Sequence, residues 1–77
     1  MMTLYYLTGC PYCIMAQRRM DELKLSYEII EVPAPRSLRK QVHDVSGQWT
    51  VPVLVDDGKV FDDEDKIIAH VNAKYAA

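Results

Sequence analysis

The chain lacks the features of a membrane-spanning, nucleic-acid-binding or disulfide-stabilised protein. Its 77 residues carry a formal net charge of -2 and contain two cysteines, Cys10 and Cys13. A negative net charge gives no electrostatic footprint for nucleic acid, and no apolar run approaches the ~18 residues of a membrane span. Apolar residues nevertheless make up 49% of the sequence, which favours one small core over disorder. We therefore expect a single domain over residues 1–77, with neither nucleic acid nor a membrane as partner.

The scarcity of cysteine limits what the two thiols can do. A bridge between Cys10 and Cys13 closes a very short loop, which stabilises a fold little. A structural zinc site needs two more ligands, and His43 and His70 lie far apart in the sequence, so we expect no metal. Residues 1–7 have neither the basic n-region nor the cleavable h-region of a secretory leader. We expect a cytoplasmic protein, in which a lone cysteine pair favours redox chemistry.

The cysteines lie at a predicted junction between a strand and a helix. The run Thr3–Leu7 is aromatic and aliphatic and stops at Thr8 and Gly9, as a buried strand does. Because Pro11 favours the first position of a helix, Cys10 is predicted at the N-cap. Apolar residues then recur at helical spacing, which directs the second thiol to the core and leaves the first at the open end. This apolar stripe consists of Cys13, Ala16, Met20 and Leu23.

The start of a helix is a position that activates a thiol. Only the thiolate attacks a disulfide, and at a reference pKa of about 8.5 few thiols are ionised near pH 7. The free N–H groups of Tyr12 and Cys13, together with the positive helix end, favour the thiolate of Cys10. We predict that Cys10 is the nucleophile with a lowered pKa. Cys13 would resolve disulfides between proteins by closing an intramolecular bond.

The middle of the chain predicts a second strand and a second helix. The run Tyr27–Val32 is rich in β-forming residues, and the order strand, helix, strand favours a parallel pair. Leu38, Val42 and Val45 then mark an amphipathic helix that Gly47 ends.

The last third of the chain predicts a hairpin and a third helix. Val53–Val55 and Lys59–Phe61 flank a short turn, which predicts two antiparallel strands. The acidic segment Asp62–Asp65 then lies at the positive end of a helix that continues to Tyr75. The whole pattern predicts an α/β fold.

Three separated elements together resemble a glutaredoxin: Cys10-Pro11-Tyr12-Cys13, Thr50-Val51-Pro52 and the acidic start of the last helix. The part from Val51 to Val71 is also similar to the N-terminal domain of glutathione transferases. The resemblance implies a thioredoxin-like (glutaredoxin) fold of order βαβ-αββα, with a four-stranded mixed sheet flanked by three helices. It further implies a monomeric enzyme that uses glutathione as co-substrate to reduce protein disulfides and glutathionylated proteins.

The same resemblance implies contacts with glutathione near the third strand and the last helix. The Val51-Pro52 bond is expected to be cis and to face the cysteines, which leaves the Val51 backbone free to pair with glutathione. Asp63 and Glu64 are expected to bind the γ-glutamyl group, one through free N–H groups and one through a carboxylate. The alternative is that these acids do no more than cap the helix.

Two further contacts and two departures complete the comparison with glutaredoxins. Arg39 falls where relatives have a glutamine or a basic residue that meets the glycyl carboxylate; otherwise it is an exposed helix charge. Tyr12 either contacts the ligand or packs on its neighbours. Leu7 replaces a lysine of many relatives, and Asp62 and Asp63 replace a pair of glycines. We therefore predict weaker glutathione binding than in a typical member.

Other functions fit the same residues. A small dithiol carrier reduced by thioredoxin reductase is one, because Leu7 and the missing glycine pair leave the reductant open. An iron–sulfur carrier, with a cluster held by Cys10 from two protomers and by two glutathiones, is disfavoured because Cys13 competes by forming a disulfide. A binding module with inert cysteines requires an unactivated Cys10. His43 and His70 are interpreted as surface or boundary residues, and Trp49 is given no role.

Overall fold

The computed structural model describes residues 2–76, with the side chain of Arg36 outside the described part. Helices and strands follow the predicted order. The elements are β1 (Met2–Tyr6), α1 (Pro11–Glu22), β2 (Glu28–Glu31), a 3-10 turn (Arg36–Leu38), α2 (Lys40–Ser46), β3 (Val53–Asp56), β4 (Lys59–Phe61) and α3 (Glu64–Tyr75).

The four strands form one mixed sheet in the order β2-β1-β3-β4. Strands β1 and β2 are parallel, whereas β3 runs antiparallel to both β1 and β4. Leu4 of β1 lies between Ile29 of β2 and Leu54 of β3. The predicted parallel pair, the antiparallel hairpin and the α/β class are all confirmed.

The core is divided between the two faces of the sheet, because neighbouring residues of a strand point to opposite faces. Leu4 and Leu54 pack with buried residues of α1 and α3, whereas Tyr5 and Val53 pack with Val42 of α2. Helices α1 and α3 therefore cover one face of the sheet and α2 covers the other. Cys13, Ala16 and Met20, three members of the predicted stripe of α1, are fully buried.

The apolar pattern predicted for the second helix is wrong at two of its three positions. Only Val42 is buried, while Leu38 is 63% exposed and Val45 is also exposed. The reason is that α2 begins at Lys40, so that Leu38 lies in the preceding 3-10 turn. A helix this short presents little more than one position to the sheet. Gly47 ends it as predicted, with a φ of 76° that glycine adopts without strain.

The first two strands also differ from their predicted limits. Strand β1 is Met2–Tyr6 and not Thr3–Leu7, and β2 is Glu28–Glu31 and not Tyr27–Val32. The chain leaves the sheet after β1 because Leu7 enters the turn that precedes Cys10. Among the helices within residues 2–76, none is long and apolar enough to cross a membrane.

Candidate active site

A tight turn carries the chain from β1 into α1 and places Cys10 at the edge of the sheet. The Cys10 N–H donates to the carbonyl of Leu7 at 3.1 Å, and Gly9 has a φ of 86°, where glycine is unstrained. The carboxylate of Glu31, at the end of β2, accepts hydrogen bonds from the backbone N–H of Thr8, at 2.8 Å, and from its hydroxyl group. The turn is thus attached to the neighbouring strand, which fixes where α1 begins.

Cys10 is the N-cap of α1, as the position of Pro11 predicts. Its Sγ accepts a hydrogen bond from the Cys13 N–H at 3.3 Å. Cys10 is partly exposed, whereas Cys13 is fully buried. The N-cap position thus holds the Cys10 sulfur at the positive end of α1.

Cys13 lies in the opposite environment. Burial raises the pKa of its thiol to about 12, and a hydrogen bond with Cys10 adds to the effect. The positive charge of Arg39 lowers this pKa only slightly in comparison. Both cysteines are free thiols in the structure. At neutral pH Cys13 is therefore protonated, and its sulfur faces Cys10 and not solvent.

A pocket of about 400 Å³ opens beside Cys10. This volume lies within the range of small-molecule sites. The predicted site residues that line it are Cys10, Tyr12, Arg39, Val51, Pro52, Asp63 and Glu64. The rest of the lining is Leu7, Gln48, Thr50 and Asp62. Parts of the sequence as far apart as Leu7 and Glu64 therefore meet around one thiol, and of the predicted set only the buried Cys13 does not line the pocket.

The segment before β3 forms one wall of this pocket. The Val51-Pro52 peptide bond is cis, as the resemblance implies. Since β3 begins at Val53, the peptide groups of Val51 precede the paired part of the sheet. The hydroxyl of Thr50 donates to Oε1 of Gln48 at 3.1 Å.

Arg39 lines the pocket but is not an exposed helix charge, because only 6% of it is accessible to solvent. Its Nε donates to the carbonyl of Pro33 at 2.8 Å, Nη2 to Ala34 at 2.8 Å and Nη1 to Trp49 at 3.1 Å. The guanidinium group thus ties the loop before α2 to the chain that leads into the cis-proline segment. Each Nη atom retains one more N–H for another acceptor.

The acids at the start of α3 interact with one another. Asp63 is the N-cap, and its Oδ1 accepts the Asp65 N–H at 3.1 Å. A hydrogen bond shared with the Glu64 carboxyl group lowers the pKa of Asp63, and the Asp65 N–H lowers it further. The same shared hydrogen bond raises the pKa of Glu64. Asp63 therefore ionises first, and Glu64 holds the shared proton to a higher pH. The capping role predicted for this segment is confirmed.

These acids also form a small group that we do not assign to a metal. One oxygen from each of Asp63, Glu64 and Asp65 lies within 4.8 Å of the others. Asp63 and Asp65 are exposed, and Asp63 already serves as the N-cap of a helix. Exposed carboxylates at a helix start are stabilised there by the helix dipole without an ion.

Trp49 and His43 form a stacked pair, with ring centroids 4.2 Å apart. Trp49 thus packs against α2, beside its carbonyl contact with Arg39. Neither ring lines the pocket at Cys10. The surface or boundary position predicted for His43 is confirmed by its partial exposure.

A second polar cluster at the far end of the sheet was not predicted. Asp56 is only 2% exposed, and its Oδ2 lies 2.8 Å from His70 Nε2, 2.8 Å from the Tyr75 hydroxyl and 3.3 Å from Lys74 Nζ. Burial raises the pKa of Asp56, but the hydrogen bonds outweigh it, so that the pKa lies below its ordinary value. Asp56 pairs with Met2 at the first residue of β1, at the end of that strand opposite to Cys10.

Comparison with known proteins agrees with this geometry. The family model for the glutathione S-transferase N-terminal domain matches residues 4–77, whereas the sequence similarity to that domain was limited to Val51–Val71. Glutaredoxin 1 of Rickettsia conorii is 38% identical over 56 residues, which are 70% of this chain and 55% of that protein. Glutaredoxin 1 of Rickettsia bellii is 32% identical over 59 residues, 70% of this chain and 60% of that protein. The chain therefore spans a little over half the length of these curated relatives.

Solved structures show the same fold. Glutathione transferase E6 from Drosophila melanogaster superposes with a TM-score of 0.87 at 34% identity, covering 97% of this chain and 35% of that one. An epsilon-class glutathione S-transferase from the housefly, Musca domestica, gives 0.86 at 27% identity with the same coverage. The predicted thioredoxin-like architecture is confirmed. The chain is related to glutaredoxin 1, and it belongs to the family of glutathione S-transferase N-terminal domains.

Proposed function

We propose that this protein is a glutathione-dependent thiol–disulfide oxidoreductase that acts through Cys10. One observation carries the proposal: an accessible thiol at a helix N-cap opens into a pocket lined by all six residues expected to contact glutathione. The buried Cys13 beside it supplies a second thiol for exchange. The kinship with glutaredoxin 1 supports the same chemistry.

The reaction consists of two thiol–disulfide exchanges. The Cys10 thiolate attacks the glutathione sulfur of a protein–glutathione mixed disulfide, so that a Cys10–glutathione disulfide forms and the protein thiolate leaves. The thiolate of a second glutathione then attacks the sulfur of the bound glutathione. Oxidised glutathione leaves, and the Cys10 thiolate is restored. Each turnover consumes one glutathione: its thiol ends in oxidised glutathione, and one protein thiol is released.

Cys13 has a role only when the mixed disulfide joins Cys10 to a protein. Its sulfur attacks Cys10, the protein thiolate leaves, and a Cys10–Cys13 disulfide forms that two glutathiones then reduce. Because burial raises the pKa of Cys13 to about 12, its proton must leave during this attack. The route through Cys10 alone therefore carries the turnover of glutathionylated substrates.

The lining of the pocket suggests how glutathione binds. The backbone of Val51 pairs with the cysteinyl part of glutathione, and the two unused N–H groups of Arg39 face the glycyl carboxylate. The carboxylate of Asp63 accepts from the γ-glutamyl ammonium, while Glu64 lies at the start of α3, beside the free N–H groups that suit the γ-glutamyl carboxylate. Tyr12, at the rim, covers the sulfur.

NADPH consumption coupled to glutathione and glutathione reductase tests this function. With a small mixed disulfide as substrate, the wild type and Cys13→Ser should turn over, and Cys10→Ser should not. Retention of activity in Cys10→Ser would show that another group does the chemistry. Absence of glutathione-dependent turnover in the wild type would contradict the proposed function.

A second candidate is a dithiol carrier reduced by thioredoxin reductase. The observation that favours it is the chemistry of the pocket, where Leu7 and Asp62 stand among the lining residues and offer no added cation for a glutathione carboxylate. Replacing glutathione and glutathione reductase by thioredoxin reductase in the same assay distinguishes the two. Turnover only in the second mixture, dependent on both Cys10 and Cys13, would assign the carrier role.

A further inference from the structure

The charges around the pocket do not suit an anionic ligand. Its lining contains three acids, Asp62, Asp63 and Glu64, and the cation Arg39. Arg39 already donates to three backbone carbonyls. Glutathione brings two carboxylates and one ammonium group at neutral pH, so that its net charge is negative. Unless one of these acids is neutralised, the pocket repels such a ligand more than it attracts it.

Asp62 is the acid of this lining that forms an ion pair with a lysine. Its Oδ1 lies 2.9 Å from Nζ of Lys66, one helical turn further along the chain. Its Oδ2 accepts from Nε2 of Gln48 at 2.8 Å, and Oε1 of Gln48 accepts from the hydroxyl of Thr50 at 3.1 Å. The Asp62 side chain is 22% exposed. Both oxygens of Asp62 thus have partners, and the chain of contacts links the first turn of α3 to the cis-proline segment.

We propose that the Lys66–Asp62 ion pair, tethered by Gln48, sets the charge selectivity of access to Cys10. Lys66 offsets the charge of Asp62 and thereby lets the pocket admit anionic thiols and disulfides. Lys66 and Gln48 are positioning residues in this role, because both act through Asp62. The inference deepens the proposed function, since glutathione is such an anion, but it concerns every charged reagent that approaches Cys10.

The expected effect is small but measurable. Lys66 is 64% exposed, and exposed ion pairs are partly screened by water and salt. Loss of the Lys66 charge should therefore change the reactivity of Cys10 toward an anion by about two- to fivefold at low ionic strength. A purely structural role for Lys66 would affect neutral and anionic reagents equally.

Alkylation of Cys10 by iodoacetate and by iodoacetamide measures this selectivity directly. Both reagents consume the thiolate, so that the ratio of their rates cancels changes in ionisation and reports the charge near the sulfur. Mass spectrometry locates the adduct at Cys10. We expect Lys66→Gln to lower the ratio of iodoacetate to iodoacetamide about threefold. Asp62→Asn should raise the ratio. In 0.5 M KCl the Debye length falls to roughly a third of its value in low-salt buffer, so the ratios of the variants should become similar.

Two further variants complete the test. Lys66→Gln combined with Asp62→Asn should return the ratio close to that of the wild type. Lys59→Gln makes the same charge change on β4, in the hairpin at the far end of the sheet, and should leave the ratio unchanged. Equal ratios for Lys66→Gln and Lys59→Gln at low salt, or no restoration in the double variant, would overturn the proposal.

The same proteins separate this proposal from the proposed function. In the coupled assay, the KM for glutathione should rise in Lys66→Gln and fall in Asp62→Asn. If the alkylation ratios shift as expected but the wild type shows no turnover with glutathione, the charge selectivity stands and the glutathione-dependent function fails. If turnover is normal and the ratios do not shift, the function stands and this inference fails.

Discussion

The two ends of helix α3 meet acids in different surroundings, because Asp56 of β3 contacts the last turns and Asp63 caps the first. Asp56 is buried and its Oδ2 is contacted by His70, Lys74 and Tyr75 from the last turns of the helix. Asp63, at the first turn, is exposed and shares a hydrogen bond with another acid. The pKa of each is lowered, yet Asp56 attaches the end of α3 to the sheet, whereas Asp63 lines the pocket. A lowered pKa alone therefore does not identify a functional carboxylate.

The largest expected effect comes from removing the buried charge. Asp56→Asn should lower the free energy of unfolding by about 2 kcal/mol, because three donors lose a charged acceptor inside the protein. Urea unfolding followed by circular dichroism measures the change. Asp57→Asn, at a neighbouring exposed residue with an allowed left-handed φ of 52°, is the matched control and should lower the midpoint much less, because its contact with Lys74 is exposed to solvent. Equal losses in both variants would contradict the distinction between the two aspartates.

Acid should abolish the contribution of Asp56. Since its folded pKa lies below the unfolded value of about 3.9, the stability it adds is complete above that pH and is lost as the pH falls through the folded pKa. The free energies of unfolding of the wild type and of Asp56→Asn should thus differ at pH 7 and approach each other below about pH 4. Urea titrations at intervals from pH 7 to pH 2.5 test this, and a constant difference would refute it.

At the other end of α3 the effect should appear in binding. Asp63→Asn keeps a good N-cap residue but loses the charge proposed to meet the γ-glutamyl ammonium. We expect the KM for glutathione to rise about fivefold, while the urea midpoint stays unchanged. Steady-state kinetics and urea unfolding of one preparation give both values. An unaltered KM would contradict the contact with the γ-glutamyl ammonium and leave Asp63 with its capping role alone.

The smallest effects should come from the two lysines of α3. Lys74 contacts Asp56 and Asp57 and is 43% exposed, whereas Lys66 contacts Asp62 beside the pocket. Lys74→Gln should reduce stability slightly without changing the KM for glutathione. Lys66→Gln should raise the KM for glutathione without changing stability. Urea unfolding and steady-state kinetics on the two variants test this. A raised KM in Lys74→Gln, or a loss of stability in Lys66→Gln, would contradict the difference between the two ends of the helix.

Much of the fold and of the candidate site follows from local chemistry. Pro11 fixes a helix start, and this places Cys10 at the N-cap with Cys13 one turn inside. The order of elements follows from the spacing of apolar residues and turns. The resemblance to glutaredoxins supplied most of the residues that meet around the pocket, but not Gln48. Monomeric action in the cytoplasm, as one domain, stays a prediction.

What could not be predicted depends on contacts between distant parts of the chain. Arg39 is buried because its partners are backbone carbonyls, which no pattern of side chains records. His70 reaches Asp56 across 14 positions, and its interpretation as a boundary residue gave no hint of that partner. Gln48 likewise has no distinguishing neighbours in the sequence. Of these contacts, the ion pair between Asp62 and Lys66 is the one that the sequence could have predicted, because residues four apart at a helix start are neighbours on its surface.

The cluster at Asp56 has a consequence for how such a protein changes over time. The last turns of α3 are attached to the sheet there, and Ile67 and Val71 are buried in the core, so the exposed side chains at the start of the helix are not needed for this packing. Substitutions there that keep a capping residue at position 63 should therefore change the charge beside the pocket with little effect on the rest of the molecule. A lineage that inherits this arrangement can acquire new substrate preferences by substitutions on the surface at the start of α3, while the packed remainder of the helix stays the same.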